Sequence, residues 1–186
     1  MDNDEADLLP GWQSGEPAAF AALVRRWQQP VARFLFHLVG QKDLVQDLCQ
    51  EVFLRVFLAA PRYRETGQFS GWLHRIALNV VRDFSRRQGQ ELKLYQDAEP
   101  LADSPGPDVC LEQQELAYRV SEAVFELPES LRVVLVLRHY QGMSFEQMAR
   151  MLETPASTLK SRFAAALLRL RQRLQPLVQD TEESNK

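Results

Sequence analysis

The residues best suited to chemistry lie near the carboxyl end of the chain, where short hydroxyls and cations occur together. Between residues 143 and 162, two apolar helical patterns are separated by a short turn sequence. Ser144 is a natural N-cap for the first helix, and Thr154 followed by Pro155 predicts the start of the second. Hydroxyls can bind phosphates, and cations can reach base edges. The early turns of the second helix carry Ser157, Thr158, Lys160, Ser161 and Arg162.

This arrangement predicts a helix-turn-helix. A short helix, a tight turn and a basic second helix form the geometry that places the second helix in the major groove of DNA. The alternative is an ordinary helical hairpin with a solvated basic face. The local pattern favours DNA recognition over that alternative.

Composition excludes several classes of protein. The 186 residues suffice for one or two small domains. No apolar run approaches the roughly 20 residues that a membrane-spanning helix needs. The first residues are acidic, unlike the basic start of a signal peptide, so we expect a cytoplasmic protein without membrane insertion. Two separated cysteines and three scattered histidines predict neither a disulfide framework nor a metal site. We expect no cofactor.

The net charge of −3 conceals segregated charge. Residues 18–93 carry 12 bases and 6 acids, and residues 131–175 carry 8 bases and 2 acids. Between them, residues 94–130 carry 9 acids and one base. Basic blocks on helices favour a polyanionic partner, whereas the overall acidity argues against tight unaided DNA binding. The pattern fits a protein that contacts DNA at two places and needs another component to hold it there.

Apolar spacing predicts an all-α chain of two helical blocks, because no stretch alternates with the period of a strand. In the first block, Pro30 is expected to break one helix and restart the next, and Gly40 to end it. Asp43 is expected to cap a third helix that Pro61 terminates. The predicted helices cover residues 20–27, 31–38, 44–60, 71–88, 111–125 and 130–140, followed by the helix-turn-helix. The predicted segments are an acidic N-terminal segment 1–17, a helical domain 18–88, a linker 89–110, a second helical domain 111–175 and a polar tail 176–186.

Several short motifs, in this order, resemble the extracytoplasmic-function group of the bacterial sigma-70 family. They are Asp47-Leu-Cys-Gln50-Glu51-Val-Phe53, Phe69-Ser-Gly-Trp72-Leu73-His-Arg75-Ile76-Ala77-Leu-Asn79, Leu127-Pro128 and Thr158-Leu-Lys-Ser-Arg162. The resemblance implies a region 2 helical bundle and a region 4 helix-turn-helix joined by a flexible acidic linker. It also implies a sigma factor that directs core RNA polymerase to promoter DNA and performs no bond chemistry itself.

The resemblance assigns two surfaces to the first block. Asp47, Gln50 and Glu51, with Arg55 beside them, would dock on core RNA polymerase. The alternative is a solvated acidic face with Phe53 in the core. The pocket for a flipped base of the −10 element would use an aromatic ring for stacking, an amide for the base edge and arginines for the backbone. The residues so assigned are Tyr63, Arg64, Asn79, Arg82 and Arg86, with Arg75 and Arg87 as further phosphate contacts. The alternative for these arginines is a solvated helix face.

Region 4 departs from the family pattern. By the resemblance, the residues from Ser157 to Arg162 would read the −35 element. In members of that family, further arginines normally follow this segment. Here Ala165 and Leu167 replace two of those cations. Either the −35 contact is weak or differently specified, or these side chains form an apolar face for a protein partner. Such a face would suit an anti-sigma factor, which is an expected partner, or the flap of the polymerase.

Two other functions remain alternatives at this stage. A stand-alone helix-turn-helix regulator would explain the second block but not the first, and no dimerisation helix or sensor domain is evident. An enzyme would require a phosphate loop, a metal-ligand cluster or a nucleophile with its base, and the sequence contains none of these patterns.

Overall fold

A computed structural model describes residues 3–64, 69–87 and 111–184, with side chains described in 8–64, 69–87 and 117–175. Within these ranges the secondary structure is entirely helical, which confirms the all-α prediction. The elements are α1 Asn3–Gln13, α2 Pro17–Val39, α3 Lys42–Ala59, a short 3-10 helix Ala60–Arg62, α4 Phe69–Arg87, α5 Leu111–Phe125, α6 Glu129–His139, α7 Phe145–Leu152 and α8 Ala156–Ser184. The predicted linker, 89–110, lies outside the described residues.

The predicted break at Pro30 is wrong, because α2 continues through it as one helix of 23 residues. A proline inside a helix removes one hydrogen bond and costs about 3 kcal/mol. Here Leu23 precedes Pro30 and Val31 and Phe34 follow it, all fully buried, so packing on both sides outweighs that cost. Gly40 ends the helix as predicted, with φ of 73° and its N–H donating to the Phe36 carbonyl.

The predicted acidic N-terminal segment contains a helix that sequence reasoning missed. In α1, Leu9 and Trp12 are buried, and Trp12 is only 1% exposed. The segment is short and contains Pro10, so its own helix propensity is weak. Its apolar face packs against α2, and tertiary packing of this kind supplies most of the stability of short helices.

Other helix boundaries show mixed agreement with the sequence. The predicted N-cap at Ser144 is confirmed, and the structure extends it to a capping box, since its Oγ accepts from the Gln147 N–H at 3.1 Å and its own N–H donates to Gln147 Oε1 at 2.7 Å. The cap at Thr154 is wrong, because its hydroxyl donates to the Leu152 carbonyl at 3.1 Å. The Pro155 carbonyl instead accepts the first helical bond of α8, from the Leu159 N–H. The predicted Asp43 cap is also wrong, since the N-cap is Gln41 and α3 starts at Lys42, two residues earlier than predicted.

Helices α1–α4 and helices α5–α8 form two units that pack on each other. Helix α6 lies against α2, and α7 lies against α4. Their apolar side chains belong to one buried cluster that includes Phe34 and Leu73 from the first unit and Val136 and Met148 from the second. Arg132 is buried at this junction, and its guanidinium donates to the Leu38 carbonyl at 2.8 Å and to the Leu127 carbonyl at 3.0 Å.

Candidate nucleic-acid interface

The exposed face of α8 carries three of the five predicted −35 residues. Ser157, Lys160 and Ser161 are all exposed at helical spacing on this face. Ser161 Oγ donates to the Ser157 carbonyl at 3.1 Å, and Lys160 Nζ lies 5.8 Å from the centre of the Phe145 ring. The lysine is therefore held over the end of α7 with its charge in solvent, where it can meet a phosphate or a base edge.

The other two predicted −35 residues lie on the neighbouring side of α8. Thr158 and Arg162, one turn apart, are half-buried. Ala165 follows them and packs against the small core of α5, α6 and α8, so it is not part of an outward apolar face. Leu167, however, is exposed, as is Leu168 at 57%. The expectation for Ala165 is thus corrected, and the exposed apolar turn consists of Leu167 and Leu168.

Helix α4 presents a row of exposed residues that we call the α4 stripe. It consists of Arg75, Asn79, Arg82 and Arg86, spaced so that all four share one face. Arg75 Nη2 lies 2.6 Å from Glu153 Oε1, Arg82 Nε lies 2.7 Å from Glu129 Oε1, and Arg86 Nη2 lies 2.7 Å from Asp83 Oδ1. Each of the three arginines therefore belongs to a surface ion pair in this conformation. The Asn79 amide is exposed on the same stripe.

The expectation that Tyr63 presents its ring to a flipped base conflicts with its burial. Its side chain is 7% exposed and lies in an aromatic cluster, with ring centres 5.4 Å from Trp12, 5.6 Å from Phe69 and 4.6 Å from Trp72. The Tyr63 carbonyl also accepts a hydrogen bond from Gln13 Nε2 at 2.6 Å. The ring is a structural component of the first unit here, whereas the next residue, Arg64, is exposed.

The predicted polymerase-docking residues lie on helix α3. Asp47 and Gln50 are exposed, and Glu51 is half-buried. Arg55 connects this helix to α4, because its Nε lies 2.8 Å from Glu51 Oε1 and its Nη1 lies 2.8 Å from Asp83 Oδ2. The hydrogen bond from Arg55 lowers the pKa of Asp83. Arg55 therefore positions Glu51.

Sequence reasoning missed an apolar continuation of this face. Leu54, Phe57 and Leu58 follow Asp47, Gln50 and Glu51 at helical spacing, and they are 52%, 52% and 66% exposed. We call the six residues together the α3 stripe. The same three- and four-residue spacing that grouped the polar residues could have identified it. Phe53 lies in the core, as the alternative reading proposed.

One functional candidate, His74, gave no signal in the sequence. Its side chain is 1% exposed, with Nδ1 2.7 Å from the Ser70 carbonyl and Nε2 3.0 Å from Gln141 Oε1. Burial lowers the pKa of this imidazole, because desolvation disfavours its charged form. Its bond to Gln141 connects α4 to the turn between α6 and α7.

The described residues hold no cluster of three or more His, Cys, Asp and Glu side chains that could bind a metal ion. Among the described helices, none has the length and apolar character that crossing a bilayer requires.

Comparison with known proteins gives two family matches in chain order. Sigma-70 region 2 matches residues 23–91, and Sigma-70 region 4 matches residues 118–170. Among solved structures, the CnrH chain in complex with the cytosolic domain of CnrY shares the fold, with a TM-score of 0.71 and 24% identity over 94% of this chain and 99% of that one. The RpoE chain in complex with the anti-sigma factor NepR, from Bartonella quintana, gives a TM-score of 0.67 with 22% identity over 84% and 96%.

Curated relatives extend the match over nearly the whole chain. The ECF RNA polymerase sigma-E factor of Haemophilus influenzae is 32% identical, covering 92% of this chain and 95% of its own length. The sigma-E factor of Escherichia coli is 30% identical over 92% and 94%. The RNA polymerase sigma-H factor of Pseudomonas aeruginosa is 28% identical over 95% and 96%. The chain belongs to the ECF group of sigma-70 RNA polymerase sigma factors.

Proposed function

We propose that this protein binds core RNA polymerase in the cytoplasm and directs promoter recognition, DNA opening and transcription initiation. One observation supports this proposal above all. A single chain contains both sigma regions, and these regions bear the exposed surfaces of α3, α4 and α8. We assign the first unit, within residues 18–88, to polymerase docking and the −10 element, and the second, within 111–175, to the −35 element. The protein supplies no catalytic group, because the polymerase performs the bond chemistry.

Run-off transcription with purified core polymerase tests this proposal. The protein should direct initiation from promoters that it occupies in its own cells, whereas core polymerase alone should not. Specific duplex binding without any effect on initiation would instead identify a stand-alone helix-turn-helix regulator.

The α3 stripe is the proposed polymerase-docking surface. Its first half is acidic and polar, and its second half exposes three large apolar side chains, which are typical of a protein-binding surface. The ion pairs of Arg55 with Glu51 and Asp83 hold the centre of the stripe against α4. A partner with basic residues beside an apolar ridge fits this surface.

Charge reversal tests this docking surface directly. Glu51→Lys should abolish binding to core polymerase, because it places a cation against the basic part of the partner and against Arg55. Glu122→Lys is the matched control, since it makes the same charge change on an exposed residue of α5. Both variants should retain the helical circular dichroism signal. Equal affinities of the two variants for core polymerase would show that the α3 stripe is merely solvated.

The α4 stripe and Arg64 are proposed to bind the opened −10 strand. The Asn79 amide can read the edge of an unpaired base, while Arg64, Arg82 and Arg86 can hold its phosphates. Asn79→Ala should slow open-complex formation without changing the affinity for core polymerase. A normal rate of opening on a cognate promoter would remove Asn79 from this role.

The exposed face of α8 is proposed to read the −35 element. Ser157, Lys160 and Ser161 present hydroxyls and a cation together, and Thr158 and Arg162 border them. Lys160→Ala should weaken promoter binding by about 1–3 kcal/mol and relax specificity if the lysine contacts a base edge. Arg25→Ala, on the exposed surface of α2, is the charge-matched control. Unchanged promoter output from Lys160→Ala would exclude the lysine as a reader.

We propose an anti-sigma factor as the partner of the exposed turn formed by Leu167 and Leu168. Two adjacent exposed leucines on a DNA-reading helix suit an apolar protein contact better than a phosphate contact. Leu167→Arg distinguishes a protein contact from a phosphate contact. If this turn binds an anti-sigma factor, the substitution should relieve inhibition by that factor. If the turn lies against DNA, the added cation should strengthen DNA binding and steepen its salt dependence.

A further inference from the structure

The carboxyl end of α1 packs against the connection that leads from α3 to α4. Trp12, in the last turn of α1, is buried, and its ring centre lies 5.4 Å from that of Tyr63 and 6.0 Å from that of Phe69. Tyr63 follows the 3-10 helix at the end of α3, and Phe69 is the first residue of α4. One indole ring therefore contacts both ends of this connection.

The neighbouring side chain of α1 bonds to the backbone of the same connection. Gln13 Nε2 donates to the Tyr63 carbonyl at 2.6 Å, across 50 positions of sequence. That carbonyl belongs to the peptide group that joins Tyr63 to Arg64. The Tyr63 N–H donates in turn to the Ala59 and Ala60 carbonyls at 3.0 and 3.3 Å. The peptide groups on both sides of Tyr63 are thus hydrogen-bonded, and this fixes the direction in which the backbone enters Arg64.

The position of α1 is set by its close approach to α2. A Cβ atom at Gly11 would lie 2.9 Å from the Ala19 Cβ of α2 and 2.8 Å from Glu16 Oε2. The Ala19 Cβ is attached directly to the backbone of α2, so a side chain at Gly11 would push the two helices apart. A helix held this closely to α2 keeps the Gln13 amide within reach of the Tyr63 carbonyl.

Arg64 differs from the arginines of the α4 stripe, because it has no ion-pair partner within the described part of the chain. Its side chain is exposed, whereas Arg75, Arg82 and Arg86 each lie against a carboxylate. Among those described residues, the backbone alone therefore determines where the Arg64 guanidinium can reach. Ordering such a side chain on binding costs free energy, and a backbone that is already fixed reduces that cost.

We propose that Gln13 is a positioning residue for the −10 contact. Its amide holds the peptide group between Tyr63 and Arg64, so that the Arg64 guanidinium starts from a fixed place when it binds the phosphates of the opened strand. This inference rests on the proposed function, which assigns Arg64 to that strand. Helix α1 thereby contributes to promoter opening without contacting DNA.

The test removes the amide at an exposed position and leaves the core intact. Gln13→Leu removes the hydrogen-bond donor and keeps a side chain of similar size. Gln28→Leu is the matched control, since it makes the same change on the exposed surface of α2. Both variants should retain the helical circular dichroism signal and the affinity of the unchanged chain for core polymerase.

Amide hydrogen exchange of the isolated full chain measures the effect of the Gln13 bond on the connection. In Gln13→Leu the Tyr63 N–H should exchange about fivefold faster, the factor that corresponds to one typical net hydrogen bond. In Gln28→Leu this N–H should exchange at the rate of the unchanged chain. Equal exchange rates in the two variants would overturn the inference, because the Gln13 amide would then fix nothing at Tyr63.

A double-mutant cycle in the holoenzyme separates positioning from a purely structural role. The rate of open-complex formation is measured at a promoter that the protein occupies in its own cells. Gln13→Leu should slow opening about fivefold in the unchanged chain and in an Asn79→Ala background. It should have no further effect in an Arg64→Ala background, because the amide acts only through that arginine. Gln28→Leu should open the promoter at the normal rate.

Two results of the cycle would overturn the inference. A fivefold loss that persists in the Arg64→Ala background would show that Gln13 does not act through the arginine. Normal opening by either Gln13→Leu or Arg64→Ala would show that the contact has no role in opening. A chain that initiates in the run-off assay and gives either result refutes the role of Gln13 alone. A chain that directs no initiation refutes the proposed function, whatever the exchange rates are.

Discussion

The burial of Tyr63 predicts that Tyr63→Ala destabilises the first unit. An aromatic side chain buries roughly 150–250 Å², which at about 25 cal/mol per Å² corresponds to about 4–6 kcal/mol. Alanine retains part of that area, and buried aromatic-to-alanine changes cost about 3–5 kcal/mol. The ring contacts Trp12 of α1 and Phe69 and Trp72 of α4, whose positions are set by two different helices, so the neighbours cannot all move in to fill the space. We therefore expect the upper part of that range.

Urea unfolding followed by circular dichroism measures this loss. With a slope of about 2 kcal/mol per molar urea, a loss of about 4 kcal/mol lowers the unfolding midpoint by about 2 M. Tyr63→Phe keeps the ring and should lose less than about 1.5 kcal/mol, the value of one hydrogen bond. Tyr118→Ala, on the exposed surface of α5, should shift the midpoint little, as surface substitutions usually do.

A different result would restore the base-stacking role. If Tyr63→Ala unfolds at the same urea concentration as Tyr118→Ala and yet slows open-complex formation, the ring does not support the fold and instead contacts the promoter. The reasoning from burial would then be refuted, and the aromatic cluster around Trp12 would have to open in the polymerase complex.

Three further predictions follow from single contacts. Burial lowers the pKa of His74 below its ordinary 6.5, so its contribution to stability is complete above that pH and is lost as the pH falls. The free energy of unfolding should therefore fall by at most about 1.4 kcal/mol per pH unit as the pH is lowered below 6.5, and His74→Gln should flatten this slope. Removing the capping box with Ser144→Ala should cost about 1 kcal/mol in urea unfolding, whereas Ser130→Ala should cost little. Ala165→Arg should destabilise the second unit, because Ala165 packs against the core, whereas Leu167→Arg, on the exposed face, should leave the unfolding midpoint unchanged.

Local signals in the sequence were sufficient for much of the fold. The apolar spacing predicted most helices, and Gly40 and the Ser144 N-cap marked ends that the structure confirms. These features act within one or two turns, where backbone hydrogen bonds and caps depend on nearby residues. Pro30 was misinterpreted because its local cost is real, but burial of Val31 and Phe34 by distant helices outweighs it.

The candidate site likewise has features that the sequence predicts and features that only the tertiary structure decides. The spacing of Asp47, Gln50 and Glu51 and the hydroxyls of α8 could be grouped from sequence, because residues three and four apart share a helix face. The burial of Tyr63, the pairing of Arg75 and Arg82 with acids of the second unit, and the bond from His74 to Gln141 could not. Each depends on which helices meet after the chain folds, and that is decided by the summed packing of residues far apart in sequence, which no local pattern records.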